Sequence, residues 1–366
     1  MGSYSGLRSA PTAQPRSMCR SLRMALPLPL DYPVMEAKLV AALPEGPQWQ
    51  YEPKWDGFRC LAFKDDEDIA LRSKSGQPLE RYFPEIVDAI AALTVTRCVF
   101  DGELVVPVGE TMSFDELLMR IHPAASRVAK LSREHPARFI VFDLLVDDEG
   151  RSLVDLPLEQ RRSRLEAFAK RAFARSATFR LSTTTRNRAD VDAWLASVGM
   201  GGLDGAVAKR IDLPYQSGLR TGMQKYKKLR TADCVVGGFR YGSNSKVVGS
   251  LLLGLFDDDG VLHHVGFTSN IPAVEREPLT RTLESLIAAP GFTGRAPGGP
   301  SRWSSERSGE WQPLATKLVV EVQYDYWNGE RFRHGTKFLR FRPDKSPRQC
   351  TIAQLRNESQ AAAAQA

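Results

Sequence analysis

Apolar and polar positions along the chain follow two regimes. Up to about residue 230, strand-like alternation is interleaved with helical spacing. The stretch Tyr51-Glu52-Pro53-Lys54-Trp55-Asp56-Gly57-Phe58-Arg59-Cys60-Leu61-Ala62-Phe63 alternates like a strand or hairpin. Ile86, Ile90 and Leu93 lie at helical spacing and predict a helix over 83–93. Ser113 and Glu116 have capping-box spacing ahead of Leu117 and Leu118, which predicts another. Phe139 to Val146 is an apolar run broken by Asp143 and followed by an Asp-Asp-Glu-Gly turn, the pattern of a buried strand. A helix is expected from Asp155, with Pro157 in its first turn and Leu158, Leu165 and Phe168 along one side. A further helix over 189–198 is closed by Gly199.

Beyond Ala232 the pattern changes. Cys234 to Phe239, Leu251 to Phe256, Val261 to Phe267 and Lys317 to Tyr326 read as strands divided by turns such as Asp257-Asp258-Asp259-Gly260, with one helical interruption in 271–289. Several strands and one helix suit a small barrel of the oligonucleotide-binding type, although pattern alone does not separate barrel from sandwich. The expected organisation is a disordered extension over 1–26, a first domain over 27–231, a second over 232–350 and a tail over 351–366, with a loop from Pro290 to Pro300.

Composition narrows the class. The 366 residues are 42% hydrophobic and 25% charged, enough for large cores and incompatible with disorder as the main state. Apolar runs stop far short of the roughly 20 residues that a bilayer crossing requires. The formal charge is +7, but Arg8, Arg16, Arg20 and Arg23 precede residue 24 without an acid, so the body is only mildly basic. A polyanion partner therefore has to be held by local clusters. The acid-free start imitates a transit peptide, but a plain extension, or a start at Met24, is the preferred reading. Five widely spaced cysteines without a C-x-x-C pair point to a reducing compartment.

The candidate chemistry begins at Lys54-Trp55-Asp56-Gly57. A lysine and a carboxylate two apart on a strand share one face, and glycine lets backbone come close to a ligand. Alone, K-x-D-G is as well explained by an exposed turn. Its company raises its weight: Phe100-Asp101-Gly102-Glu103, Phe142-Asp143, Leu203-Asp204-Gly205-Ala206-Val207-Ala208-Lys209 and Lys225-Tyr226-Lys227 follow in order. Lys225 and Lys227 on one strand face repel each other, a cost that a bound polyphosphate would relieve. A Walker-type phosphate loop is absent, so side chains must hold any nucleotide.

This series, with Arg342-Pro343-Asp344-Lys345 at its end, resembles the covalent nucleotidyltransferase superfamily of ATP-dependent DNA ligases, RNA ligases and mRNA capping enzymes. The Arg-Pro-Asp-Lys-Ser-Pro ending, Trp311-Gln312-Pro313 and Val319-Val320-Glu321-Val322 are most like bacterial ATP-dependent DNA ligases, and the short length is most like the compact ligase C type. The resemblance implies an α+β fold: a nucleotidyltransferase, ATP-grasp-like adenylation domain of antiparallel sheets with flanking helices, followed by an OB-fold β-barrel. It implies ATP and Mg²⁺, or Mn²⁺, as cofactors and nicked double-stranded DNA as partner. Lys54 would become the adenylated lysine, with Asp56, Lys225 and Lys227 beside it as catalytic residues. Glu52 would read the adenine amino group, Arg59 and Glu103 would contact ribose, and Phe142 would stack on adenine. Lys209 joins the ATP-binding set, and Lys225 and Lys227 would hold the α-phosphate. Arg342, Asp344 and Lys345 would engage the β,γ-phosphates when the second domain closes. Glu103 and Asp204 would place the metal.

Two positions depart from the family's pattern. Asp204 stands where glutamate is usual, which points to a water between it and the metal. Lys74, in Ser73-Lys74-Ser75-Gly76, gives a point charge where an arginine fork is expected. A strip over 331–348, with Arg331, Arg333, Lys337, Arg340, Arg342, Lys345 and Arg348 among Phe332, Phe338 and Phe341, suits a phosphate backbone; a solvated basic edge is the alternative. The five histidines show no metal spacing and read as structural or surface residues. The resulting expectation is a monomeric, cytoplasmic, nucleoid-associated DNA-repair ligase with repair or end-joining proteins as candidate partners and none in a membrane. The alternatives are an RNA ligase or capping-type guanylyltransferase, or a DNA-binding protein without turnover.

Overall fold

The computed structural model describes residues 24–109, 111–174, 176–196, 203–227, 229–298, 310–333 and 335–355. The expected extension up to residue 23, the Gly199 helix stop, His334, the end of the Pro290 loop and the tail beyond 355 lie outside the described residues.

Two main sheets form the first lobe, beside a two-stranded ribbon of Pro107–Val108 and Thr111–Met112. The larger runs Asp68–Ser73, Phe58–Asp65, Arg97–Val105, Arg138–Val146 and Phe179–Leu181 in spatial order. Its first four strands are antiparallel and the last joins in parallel. The smaller runs Lys38–Leu39, Met223–Tyr226, Leu203–Arg210 and Trp49–Trp55, with the short first strand parallel to its neighbour. The expected antiparallel sheets are thus mixed at their edges.

Trp49–Trp55 and Phe58–Asp65 are consecutive strands as the alternation predicts, but they are not a hairpin. Each belongs to a different sheet, so Asp56-Gly57 is the step from one sheet to the other. Glycine is required there: a Cβ on Gly57 would stand 2.2 Å from the Leu104 carbonyl oxygen.

The predicted helices form at Pro84–Ala91, Phe114–Met119, Leu158–Ala172 and Arg188–Ala196, with Ala125–Glu134 in addition. Ser113 caps its helix by accepting the Glu116 amide hydrogen at 3.2 Å. The apolar run at Phe139 is the buried strand expected, and packs Phe139 with Phe100, Phe173 and Phe179. Next to it, Arg161 makes a bidentate pair with Asp143, both fully buried, with each bond at 2.9 Å. Removing one partner would strand a charge in the core.

The second lobe is a curved sheet in the order Leu262–Thr268, Val248–Phe256, Arg230–Tyr241, Val319–Tyr324 and Lys337–Phe341, with Gln312–Pro313 also on the long strand. Helix Ala273–Glu284 packs on it through Leu279 and Leu283. Bulges interrupt the pairing of Arg230–Tyr241 with Val248–Phe256 and bend the sheet. Its two ends meet at one bridge, Thr268 to Thr336, where the Thr336 amide donates to the Phe267 carbonyl at 3.0 Å. The Phe332 amide donates to the Val265 carbonyl across the same seam at 2.8 Å, and among the described residues no continuous ladder closes it, so the lobe is a curled, partly open sheet, consistent with the OB-fold β-barrel expected. The core of this lobe runs from Ala232 to Leu355 and includes Ile352 and Leu355, inside the segment expected as tail. Among the described residues no helix is long and apolar enough to cross a membrane.

Candidate active site

The cleft between the two sheets of the first lobe is a cavity of about 170 Å³. The smaller sheet contributes Glu52, Lys54, Lys209 and Lys225, the larger sheet Arg59, Glu103 and Phe142, and the loop after Ser73 contributes Lys74. Most sequence-predicted residues therefore converge on one wall-to-wall site.

Lys54 lies next to the last residue of its strand, and its Nζ is 2.6 Å from Asp204 Oδ2. That contact depends on a register shift. Leu203 faces Trp55 and Gly205 faces Lys54, so the bulge between them re-aims Asp204 at the amine. Gly205 has φ +144°, and a Cβ there would fall 2.0 Å from the Tyr226 carbonyl oxygen. Lys227 Nζ reaches the same Asp204 oxygen at 2.9 Å, so one carboxylate holds two ammonium groups.

The lysines crowd one another. Burial, and then Lys54, Lys227 and Lys74, hold the Lys225 amine below the usual lysine range. Burial acts the same way on Lys227, but Asp204 and Asp325 outweigh it and raise that group. Glu103 is the opposite case. Burial pushes its carboxyl up to about 7, although Arg59 and Lys54 pull it down. Such a carboxylate, short of compensating charge, is suited to a divalent cation.

At the other end, Lys209 Nζ stands 2.8 Å from Glu52 Oε1, both nearly fully buried, and Gln50 donates to the same oxygen at 3.3 Å. Lys209 Nζ and the Arg59 guanidinium carbon lie 4.3 and 4.6 Å from the Phe142 ring centre. Arg59 is fixed by a two-bond fork to buried Asp101, each bond at 2.6 Å.

One expectation changes, and three further residues, Lys227, Arg342 and Lys345, lie outside the cavity lining. Asp56 does not share a face with Lys54, because the strand ends at Trp55 and Asp56 lies in the step between sheets. Its carboxylate pairs instead with Arg333 of the second lobe, whose guanidinium sits 3.2 Å from the Phe114 ring centre. Lys227, likewise, is bonded across the lobes to Asp325 at 3.2 Å. Arg342 and Lys345 are not brought to the cavity. Arg342 is held by Asp233 at 3.0 Å and by Asp344, and Lys345 by Asp233 at 2.6 Å. Hydrogen bonding to Arg342 keeps the Asp344 carboxyl at about 2.

The basic strip is also more committed than its charge suggests. Arg340 pairs with Glu321 at 2.7 Å and Arg348 lies over the Phe256 ring, whereas Arg331 and Lys337 are exposed. The sequence reading missed Asp101 and Asp325 as supports of the site: the F-D-G-E motif marked Asp101, but no local signal pointed to Asp325.

Residues 35–227 match the family model described as the ATP dependent DNA ligase domain, and residues 244–345 the ATP dependent DNA ligase C terminal region. The chain is 42% identical over 349 residues to DNA ligase C2 of Mycolicibacterium smegmatis, covering 90% of this chain and 96% of that protein. It is 41% identical over 350 residues to DNA ligase C of Mycobacterium tuberculosis, covering 91% and 96%. A solved Lig E DNA ligase, 18% identical, superposes with a TM-score of 0.53 over 85% of this chain and 99% of that one, a likeness of fold. Two family matches in chain order, and near-full-length relatives above two-fifths identity, place this chain in the ATP-dependent DNA ligase family, among its compact bacterial members.

Proposed function

We propose that this protein seals nicks between a 5′-phosphate and a 3′-hydroxyl in duplex DNA, using Lys54 as the nucleophile toward ATP. The observation that carries the reading is the Lys54 amine, 2.6 Å from a carboxylate, in a cleft lined by Lys74 and Lys225 and backed by Lys227. Asp204 offsets Lys54 and Lys227, and Glu36 meets Lys74 at 3.1 Å, but Lys225 stays depressed by burial and by its neighbouring lysines, which fits a cleft built for a polyphosphate. Phe142 offers adenine a ring, and the Glu52–Lys209 pair offers polar groups to its edge. Glu103 and, through water, Asp204 would hold Mg²⁺, which when bound neutralises charge on the phosphate oxygens.

In the first step the Lys54 nitrogen attacks the α-phosphorus. A P–N bond forms, the bond to the pyrophosphate oxygen breaks, and the proton of the amine passes toward Asp204. Lys225 and Lys227 stabilise the negative charge that grows on the phosphate. In the second step an oxygen of the 5′-phosphate at the nick attacks the same phosphorus. The P–N bond breaks and Lys54 regains a proton. In the third, the 3′-hydroxyl oxygen attacks the 5′-phosphorus, loses its proton and displaces AMP. Alignment of the reacting atoms supplies much of the rate.

The domain division at residue 231/232, with adenylation chemistry before it and DNA contacts after it, belongs to the same proposal. Arg342 and Lys345 reach the phosphates only if the second lobe turns over, releasing Arg333 from Asp56. Arg331 and Lys337, exposed here, are the DNA contacts in the present arrangement. A monomer working at the nucleoid suffices for this chemistry, with repair or end-joining proteins as partners that would strengthen a grip built on few contacts.

The test is sealing of a singly nicked duplex over a salt series, with ATP or GTP and with DNA or RNA ends. Sealing of DNA with ATP, weakening steeply with salt, is expected. Sealing confined to RNA, or label taken only from GTP, would overturn the reading.

A further inference from the structure

Four groups outside the reacting centre close a ring of hydrogen bonds behind the pocket. The Tyr215 hydroxyl donates to Asp101 Oδ2 at 2.6 Å and accepts the Met35 amide hydrogen at 3.0 Å. Asp101 accepts Arg59 Nε and Nη2 at 2.6 Å each, and Arg59 Nη2 also donates to the Met35 carbonyl at 3.3 Å. Tyr215 is 5% exposed and Asp101 fully buried. Burial, and then Asp101, push the phenol well above its usual range, so it stays a neutral donor.

Tyr215 does not line the cavity; Arg59, Met35, Glu36 and Ala37 do. The fork to Asp101 uses Arg59 Nε and Nη2 and leaves the Nη1 edge for a ligand hydroxyl. The same phenol also ties down the wall at Met35. Its own position is fixed from behind, by its amide donating to the Val154 carbonyl at 2.8 Å and by Arg161 over its ring.

We infer that Tyr215 is a positioning residue for nucleotide binding: through Asp101 it holds Arg59, and through Met35 the facing wall, in the geometry that grips the ribose of ATP. The inference rests on the reading in which Lys54 takes AMP from ATP. Removing the hydroxyl takes one of the two donors from Asp101 Oδ2, leaving Arg59 Nη2 as its remaining partner, and leaves the Met35 amide without its partner, but leaves Lys54 and Asp204 untouched.

The experiment measures lysine-AMP formation against nucleotide concentration for the full chain and for Tyr215→Phe, using ATP, 2′-deoxy-ATP and 3′-deoxy-ATP. Tyr215→Phe should raise the half-saturating ATP concentration about tenfold, with the maximal rate within about twofold. The wild type should bind one of the deoxy analogues more weakly, and for that analogue Tyr215→Phe should lose little more, because both changes remove the same contact. An unchanged half-saturation, a fall in maximal rate alone, or fully additive losses would overturn the inference. Loss of stability by itself produces no coupling to a single ribose hydroxyl. If melting curves show that Tyr215→Phe does not fold, Arg59→Lys carries the test: it keeps the cation without the fork and should show the same coupling. A wild type that takes no label from ATP would instead refute the adenylation reading.

Discussion

Asp204 reaches Lys54 across a bulge: the shift between Leu203 and Gly205 turns its carboxylate so that Oδ2 stands 2.6 Å from Nζ. The shorter acid is thereby committed to two amines, because Lys227 takes the same oxygen at 2.9 Å. In the proposed mechanism Asp204 is both the counterion of the lysine cluster and the nearest acceptor for the proton that Lys54 would lose.

Asp204→Ala should therefore slow lysine-AMP formation at saturating ATP by roughly a hundredfold, the usual scale for removing a proton acceptor. Asp204→Glu, which restores the carboxylate, should recover part of that loss. Rapid-quench labelling measures both, and an alanine variant within twofold of wild type would remove Asp204 from the chemistry.

The pH dependence of stability should report Glu103. Burial raises its carboxyl from 4.5 to about 7 in the folded protein. Between those values the folded state keeps a proton that the unfolded chain has lost, so stability from this group falls as pH rises through the window. In the presence of a chelator, Glu103→Gln should melt higher than wild type at pH 8, with the difference gone near pH 4.5. Added Mg²⁺ should raise the wild-type melting temperature at pH 8 and leave Glu103→Gln unmoved. Parallel melting profiles across the range would contradict this assignment.

Arg333 bridges the lobes through Asp56 and the Phe114 ring, on the opposite business from Arg342 and Lys345, which stay with Asp233. If the lobe turns over for the first step, this bridge breaks then and forms later. Arg333→Ala should leave lysine-AMP formation within about twofold and lower nick sealing by about tenfold or more, roughly the effect of losing a desolvated charge pair. Equal losses in both steps would contradict it.

The sequence makes some of this legible and hides the rest for physical reasons. Lys54, Glu103, Phe142, Lys209 and Lys225 are readable because short motifs fix each on a strand, and they do meet in one cavity. Alternation predicted the strands around Asp56-Gly57 but not that they enter different sheets, since periodicity reports which face a residue takes and not which strand it pairs with. Tyr215 and Asp101 are 114 residues apart, and a lone tyrosine in a loop carries no sign of its buried partner. Arg333 sits in a basic strip that reads as a polyanion surface, and only tertiary placement shows it turned inward to Asp56. The seam at Thr268 and Thr336 depends on sheet curvature, which bulges create and composition does not announce.

The central claim concerns one amine, and mass spectrometry of the intact protein after incubation with ATP and Mg²⁺ addresses it directly. A single added adenylate on the peptide carrying Lys54, absent from Lys54→Ala and discharged by nicked DNA, is the expected result. An unmodified Lys54 peptide in a preparation that seals nicks, or an adenylate that persists in Lys54→Ala, would contradict the account.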